Sequence, residues 1–574
     1  MLAFLALLPI VVVGILLVGL RQPAAKAMPI ALLTTVVLAA VVWKLPLVSI
    51  SAAILKGIIT AGTLLYIIFG AVLLLETLRS TGALQTIRGS FAGLSPDRRV
   101  QVIIIAWLFG SFIEGAAGFG TPAAICVPLL VGIGFPALAA VTSGMLIQST
   151  PVSFGAAGTP ILLGVRTGLG NDPSVEQFAL SAGFISTQGV ADLDGFLADI
   201  AVRVAIMHGV IGTFIPLLLV MIVTRFFGSE KSFRHGLAVA PFAVFSGLAM
   251  TVPYFLAAKF LGPAFPSLVG SIVGLTIVSA AAKLRFLTPR TAWDFPSTEQ
   301  WPSDWSPSTN IKKASTTKAS SSGNAATSEH ETQDREFPIV LAWMPYLLVA
   351  ALLLLTKLWP TASAFINSWQ FSWDGMLGTN ISSGAIKPLA LPGTIFIVVS
   401  LVTWPLHAAS AKSYWSAWSR STRVLIGASL ALLPAVPMVQ VFILSDGGAA
   451  GYDSMPKALA AEAAVLVGSG WPLLAPFIGG MGAFVAGSNT LSNMMFSLFQ
   501  FNVAQRLELI PQWIVALQAV GGAAGNMICV HNVVAACAVV RMLGHEGTVL
   551  RRTLVPFLLY AALAGLIGWW MSTT

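Results

Sequence analysis

The sequence is poor in charge. Only 9% of its 574 residues are Asp, Glu, Lys or Arg, against 56% apolar residues. A soluble domain carries about 25% charged residues, so a water-exposed fold is excluded. The mean hydropathy of +0.86 fits a polytopic membrane protein. Long apolar runs also exclude an outer-membrane barrel, whose strands alternate apolar and polar residues. Cysteine is scarce: Cys126, Cys529 and Cys537 all lie in apolar runs. That leaves no disulfide framework and no metal-ligand spacing, and no cofactor is expected. Acidic residues are outnumbered, giving a net charge of +9. The basic residues cluster in loops, which points to cytoplasmic loops facing anionic lipid rather than to nucleic acid.

What is present is a series of runs long enough to cross a bilayer as helices. Twelve spans are expected, near 2–20, 28–43, 47–78, 138–165, 200–224, 237–258, 264–282, 338–358, 390–406, 424–445, 512–540 and 553–572. The first run lacks a preceding positive charge, so an uncleaved span is expected rather than a signal peptide. Two further runs, 101–136 and 472–505, are interrupted by small and polar residues and are expected to form re-entrant hairpins or broken helices. With that arrangement the basic loops fall on one side and the acidic stretch Asp172, Glu176, Asp192, Asp194 on the other. Both termini are then outside, in a bacterial cytoplasmic membrane. Residues 296–337 are polar and of low complexity, and read as a flexible cytoplasmic linker.

The interruptions recur. Ala117-Gly118-Phe119-Gly120-Thr121-Pro122 has a faint counterpart in Ala486-Gly487-Ser488-Asn489-Thr490-Leu491, 369 residues later. Gly155-Ala156-Ala157-Gly158-Thr159-Pro160 pairs more clearly with Gly522-Ala523-Ala524-Gly525-Asn526-Met527, 367 residues later. The flanking loops exchange basic for acidic character between the copies, so the repeats are expected to be inverted. Their expected extents are 1–225 and 338–574, with connector helices in 226–295. Paired inverted repeats with discontinuous helices point to a secondary transporter whose substrate binds where the breaks meet.

At the breaks, backbone N–H groups and helix N-termini favour an anion. Candidate binding residues are Gly118, Thr121, Ser488, Asn489 and Thr490 at the hairpin breaks, with Thr159 and Asn526 on the crossing helices. Gln148 and Gln518 are candidate pocket liners. The plainer alternative is that these side chains cap broken helices. Glu114 is the sharpest candidate. An acid at the bilayer centre costs about 2.5–3.5 kcal/mol on insertion scales, and burial favours its neutral form. It is therefore the expected proton carrier. The counterpart position holds Ala483, so the repeated fold does not itself require an acid. The structural alternative pairs Glu114 with Arg203 or Lys56. His531 is a second candidate for proton coupling, and a packed histidine is the competing reading. Glu76 and Arg79 read as an interfacial pair.

The stretches FGSFIEGAAGFGTPAAI, IQSTPVSFGAAGTPIL and VGGAAGNMICVHNVVAACAVV closely resemble bacterial lactate permeases, and the resemblance extends over most of the chain outside 296–337. It implies a symporter of lactate with a proton, with glycolate as a related substrate. The Gly487-Ser488-Asn489-Thr490 stretch also resembles the SNT motif of sodium-coupled dicarboxylate carriers, which implies opposed hairpin tips and an elevator movement. Phe119-Gly120 departs from that motif and disfavours a symmetric pair of sodium sites. A sodium-coupled carboxylate carrier is the alternative within transport. An integral-membrane transferase, a channel and a sensor are alternatives outside it.

Overall fold

The computed structural model describes residues 2–20, 22–118, 120–170, 172–306 and 338–573. Among the described residues the regular elements are helical, apart from two isolated β-bridges, Ile185↔Ala191 and Phe371↔Ile386. Helices satisfy their own backbone polar groups, which a bilayer requires. Eleven helical stretches among the described residues are long and apolar enough to cross a membrane by length and composition. That set differs from the twelve spans expected. It includes the first arm of each interrupted run, Arg98–Ala117 and Met455–Ala486. The expected span 390–406 contains the shorter apolar helix Pro392–Leu406, and the expected span 2–20 contains Leu2–Gly14, continued by the π-helical turn Ile15–Gly19. The expected span 138–165 is broken after Ala137–Leu146.

The helices pack as two groups. In the first, Leu47–Thr81 lies along Ala411–Ile443. Small residues allow that approach: a Cβ on Gly57 would collide with the backbone of Pro437, the close helix packing typical of membranes. Thr77 and Ser400 join Leu47–Thr81 to Pro392–Leu406 by a hydroxyl pair at 2.8 Å. The packing is reciprocal. Ala24–Val41 packs on Ala411–Ile443, and Pro392–Leu406 packs on Leu47–Thr81. Likewise Leu2–Gly14 packs on Met455–Val467, and Ile339–Leu358 packs on Ala83–Ala92.

The second group holds the interrupted elements. Arg98–Ala117 and Thr121–Gly132 run antiparallel: Arg98 Nη1 donates to the Ile133 carbonyl, and a Cβ on Gly110 would stand 3.4 Å from Cys126 Sγ. The chain therefore returns to its starting side as a hairpin, with its tip at Gly118 and Gly120. Both glycines have positive φ, +63° and +77°, which explains why glycine stands there. The second hairpin joins Trp471–Ala486 to Asn489–Arg506. Trp471 Nε1 donates to Gln500 Oε1 at 2.8 Å, and Ser492 Oγ to the Gly479 carbonyl at 2.7 Å. At its tip Gly487 has φ +78°, and Ser488 caps the following helix by accepting from Thr490 N at 3.2 Å.

Two broken helices cross near these tips. In the first, Ala156, Ala157 and Gly158 are all left-handed within Gly155–Thr159. A left-handed alanine costs about 1–2 kcal/mol, so the surroundings must hold this turn in place. In the second, Pro511–Gly525 ends in the 3₁₀ turn Asn526–Ile528, and the helix resumes at Val530–Val539.

The open end of the first hairpin is clasped by His235 and residues 291–294. Asp97 and Arg99 form a buried ion pair at 2.6 Å, and Arg99 also donates to the carbonyls of His235 and Thr291. Residues 296–306 do not begin a loose linker. Trp305 is buried against Phe227, with ring centroids 5.1 Å apart, and its carbonyl accepts from Leu138 N at 3.3 Å. The aromatic residues Trp301 and Trp305 account for the packing of a stretch that composition had grouped with the polar tail. The rest of the expected linker, 307–337, lies outside the described residues.

Candidate functional site

A small cavity, partly open, lies where the four breaks meet. Gly118 and Gly120 reach it from the first hairpin, and Gly487, Ser488, Asn489 and Thr490 from the second. The first broken helix contributes Val152, Gly155, Ala156, Thr159 and Pro160, and the second contributes Asn526 and Asn532. Glu114, one turn before the first tip, completes the lining.

The left-handed turn beside the cavity is held from several elements. Tyr254 Oη donates to the Thr150 carbonyl at 2.8 Å, Ser267 Oγ to the Pro151 carbonyl at 2.7 Å, and Asn493 Nδ2 to the Pro160 carbonyl at 3.1 Å. Ser153 Oγ donates to the Ala519 carbonyl at 3.2 Å, so it accepts from His208 Nε2 at 2.8 Å. His208 Nδ1 then accepts from the Tyr560 hydroxyl at 2.5 Å, which in turn accepts from Thr150 Oγ1 at 3.1 Å. These bonds satisfy the carbonyls that the break releases. His208 thus belongs to the support of the site.

Glu114 is 3% exposed, and its Oε2 has no hydrogen-bond partner among the described residues. The alternative ion pair with Arg203 is not formed. Arg203 instead pairs with Asp199, four residues earlier, at 3.0 Å and lies 4.9 Å from the Trp513 ring centroid. Among the described residues Lys56 forms no ion pair with Glu114 either. Asn489 is 2% exposed, and both its Nδ2 and its Oδ1 lack partners. Buried polar groups are normally satisfied, so Asn489 and Glu114 are the groups that a bound ligand would complete. Among the described residues no Lys, Arg or His side chain lines the cavity. The groups there that can favour an anion are amides and the N-terminal ends of Thr121–Gly132 and Asn489–Arg506.

Other expected site residues have different places. Thr159 lines the cavity, and its hydroxyl also closes the left-handed turn by donating to the Ala156 carbonyl at 2.7 Å. Thr121 lies outside the lining and donates to the Gly118 carbonyl, as a cap would. Gln518 is packed inside the second hairpin's contact, accepting from Gln500 at 3.1 Å and donating to Ser492 Oγ at 2.9 Å. Gln148 stands one layer back: its Oε1 accepts from Asn532 Nδ2 at 2.8 Å, and its Nε2 is buried without a partner. His531 is exposed beside Gly487 and does not line the cavity. Glu76 accepts from both Arg79 at 3.0 Å and Arg420 at 2.6 Å, so the expected interfacial pair is a three-residue bridge. Asn532 was not singled out from the sequence. Its signal is weak, a lone amide beside a more conspicuous histidine. Among the described residues no group of three or more His, Cys, Asp and Glu side chains is placed to hold a metal.

Comparison with known proteins agrees along nearly the full length. The family described as L-lactate permease matches residues 2–572. A putative L-lactate permease of Haemophilus influenzae is 30% identical over 535 residues, covering 91% of this chain and 89% of that protein. The glycolate permease GlcA of Escherichia coli is 27% identical over 589 residues, covering 98% and 94%. An L-lactate permease of Bacillus subtilis is 26% identical over 550 residues, covering 90% and 86%.

Proposed function

We propose, since this chain belongs to the L-lactate permease family, that it imports lactate and related 2-hydroxy monocarboxylates such as glycolate, each together with a proton. The family and the named relatives are permeases, so the chain is a carrier and not an enzyme. One observation carries the reading: among the described residues a single buried acid, Glu114, shares a cavity with the unpartnered amide of Asn489 and with no basic side chain. Gly118, Thr159, Ser488, Asn489, Thr490 and Asn526 hold the carboxylate through amides, hydroxyls and backbone N–H groups.

Lactate is ionised at neutral pH, as carboxylates are. An inside-negative membrane potential opposes its entry by about 2.3 kcal/mol per charge per 100 mV. Glu114 removes that opposition by taking a proton outside and releasing it inside. One anion and one proton then cross together, and no net charge moves. An unpaired carboxyl suits this role, because a permanent cation beside it would hold it ionised.

The reciprocal packing supports inverted repeats over 1–225 and 338–574, joined by connector helices in 226–295. On this reading the group built on Leu47–Thr81 and Ala411–Ile443 is a scaffold, and the group carrying the hairpins slides along it as an elevator. Phe112, two residues before Glu114, meets Tyr346 and Trp343 of the first group at 4.6 and 5.1 Å between ring centroids, an aromatic contact at their boundary. The protein sits in the bacterial cytoplasmic membrane with both termini outside.

The experiment is uptake of labelled lactate into proteoliposomes under an inward proton gradient in sodium-free buffer. Accumulation that an uncoupler abolishes is expected. Accumulation that requires sodium and ignores the uncoupler would overturn proton coupling in favour of a sodium-coupled carrier.

A further inference from the structure

We infer that Asn532 is a specificity-determining residue, whose side-chain oxygen accepts the 2-hydroxyl of the substrate and so selects 2-hydroxy acids over 2-oxo and unsubstituted monocarboxylates. The inference rests on the monocarboxylate reading above and names the feature by which that site chooses.

The orientation of the Asn532 amide is fixed by a chain of bonds that starts at a backbone carbonyl. The Gly522 carbonyl can only accept, so Asn526 presents Nδ2 to it, at 3.1 Å. Asn526 Oδ1 is thereby left as an acceptor, and Asn532 must present Nδ2 to it, at 3.2 Å. The same Nδ2 donates to Gln148 Oε1 at 2.8 Å. Both amide hydrogens of Asn532 are then used, and its Oδ1 is committed to the opposite side. That oxygen accepts no hydrogen bond among the described residues. It faces the first hairpin tip, where a Cβ on Gly120 would stand 2.9 Å from it. Both residues line the cavity.

The cavity thus offers an acceptor with no donor beside it on that wall, while Asn489 Nδ2 is a free donor on the second hairpin. A 2-hydroxy acid matches both, with its carboxylate toward Asn489 and its hydroxyl proton toward Asn532. A 2-oxo acid brings a carbonyl oxygen against Oδ1, acceptor against acceptor. Propionate leaves Oδ1 without a partner. A site built to bond a substrate hydroxyl rejects analogues that lack it. Lactate and glycolate share the hydroxyl and are not separated by this residue.

The test is competition in lactate counterflow, with full-length protein in proteoliposomes and with propionate, pyruvate and glycolate as unlabelled competitors. In the wild type, half-inhibition by propionate or pyruvate is expected at a concentration at least about ten-fold above that of lactate or glycolate, the scale of one buried hydrogen bond. Asn532→Ala is expected to bring the ratio toward one, with counterflow persisting at a higher lactate concentration. If that variant does not reach the membrane, Asn532→Ser replaces it under the same criterion, because serine cannot span both amide partners. A wild-type ratio near one, or an unchanged ratio in the variant, overturns the inference while leaving monocarboxylate transport standing. Wild-type vesicles that exchange no lactate overturn the transport reading itself, and this inference with it.

Discussion

Glu114 Oε1 rests against the bare Cα of Gly155: a Cβ built on that glycine would stand 2.6 Å from the oxygen, and its three nearest neighbours are all atoms of Glu114. The contact joins the first hairpin to the first broken helix. Gly155 has φ −64° and ψ 155°, a conformation open to any residue. Its glycine is therefore required by the neighbouring acid and not by the backbone. Gly155→Ala is expected to displace the Glu114 side chain and to lower proton-driven uptake at least several-fold, with the protein still folded. Uptake assays beside a thermal melt check this, and wild-type uptake in the variant would show that the acid has room to spare.

Asn489 offers a separation of stability from function. Its buried amide bonds to nothing in the protein among the described residues, so its removal breaks no internal hydrogen bond. Burying an unsatisfied amide costs about 1–3 kcal/mol. Asn489→Ala is therefore expected to be as stable as the wild type or more so, with the lactate concentration for half-maximal uptake raised about ten-fold. Unchanged half-saturation would remove Asn489 from the binding site.

The chain Thr150–Tyr560–His208–Ser153 carries the opposite expectation. Tyr560→Phe leaves His208 Nδ1 buried without a donor, at a cost of about 1–3 kcal/mol. A lower melting temperature and slower transport are expected, with the preference among hydroxy acids unchanged. A variant with wild-type stability would show that these bonds do not hold the left-handed turn.

Outside the membrane-spanning segments, Asp172 links the end of the first broken helix to Met455–Val467. One oxygen caps the helix Pro173–Ser181 through Ser174, and the other meets Lys457 Nζ at 2.7 Å. Burial pushes this carboxyl up, but the Ser174 hydrogen bonds and the Lys457 ammonium outweigh it and hold it below its ordinary value. A lowered carboxyl stabilises the fold fully above the ordinary value, about 3.9, and loses that contribution as pH falls through the lowered one. Lys457→Gln is expected to melt below the wild type at pH 7, and the gap is expected to narrow as pH falls below the ordinary carboxyl value of about 3.9. Melting curves across that range check it. A gap independent of pH would mean that the lysine acts through packing alone.

The interruptions were legible because glycine, proline and polar residues inside an apolar run contradict a continuous helix, and the structure breaks the chain at those places. The Arg203–Asp199 pair was not read from the sequence, although residues four apart share a helix face. Other features were not legible. Met455–Val467 was not among the expected spans, because Lys457 and Glu462 interrupt its hydropathy. Asn532 was hidden beside His531. Successive residues on a helix are turned by about 100°, which places one of this pair on the cavity and the other on the exposed side. Nothing in the sequence says which of the two faces inward. Glu114 was legible as a costly acid, whereas its lack of a partner follows only from the packing around it.

The account stands or falls on Glu114 as the proton carrier, and Glu114→Gln in proteoliposomes tests it most directly. An amide keeps the shape and cannot release a proton. The predicted result is that the variant still exchanges labelled lactate in counterflow but no longer accumulates it under an inward proton gradient. Accumulation equal to the wild type would contradict the account.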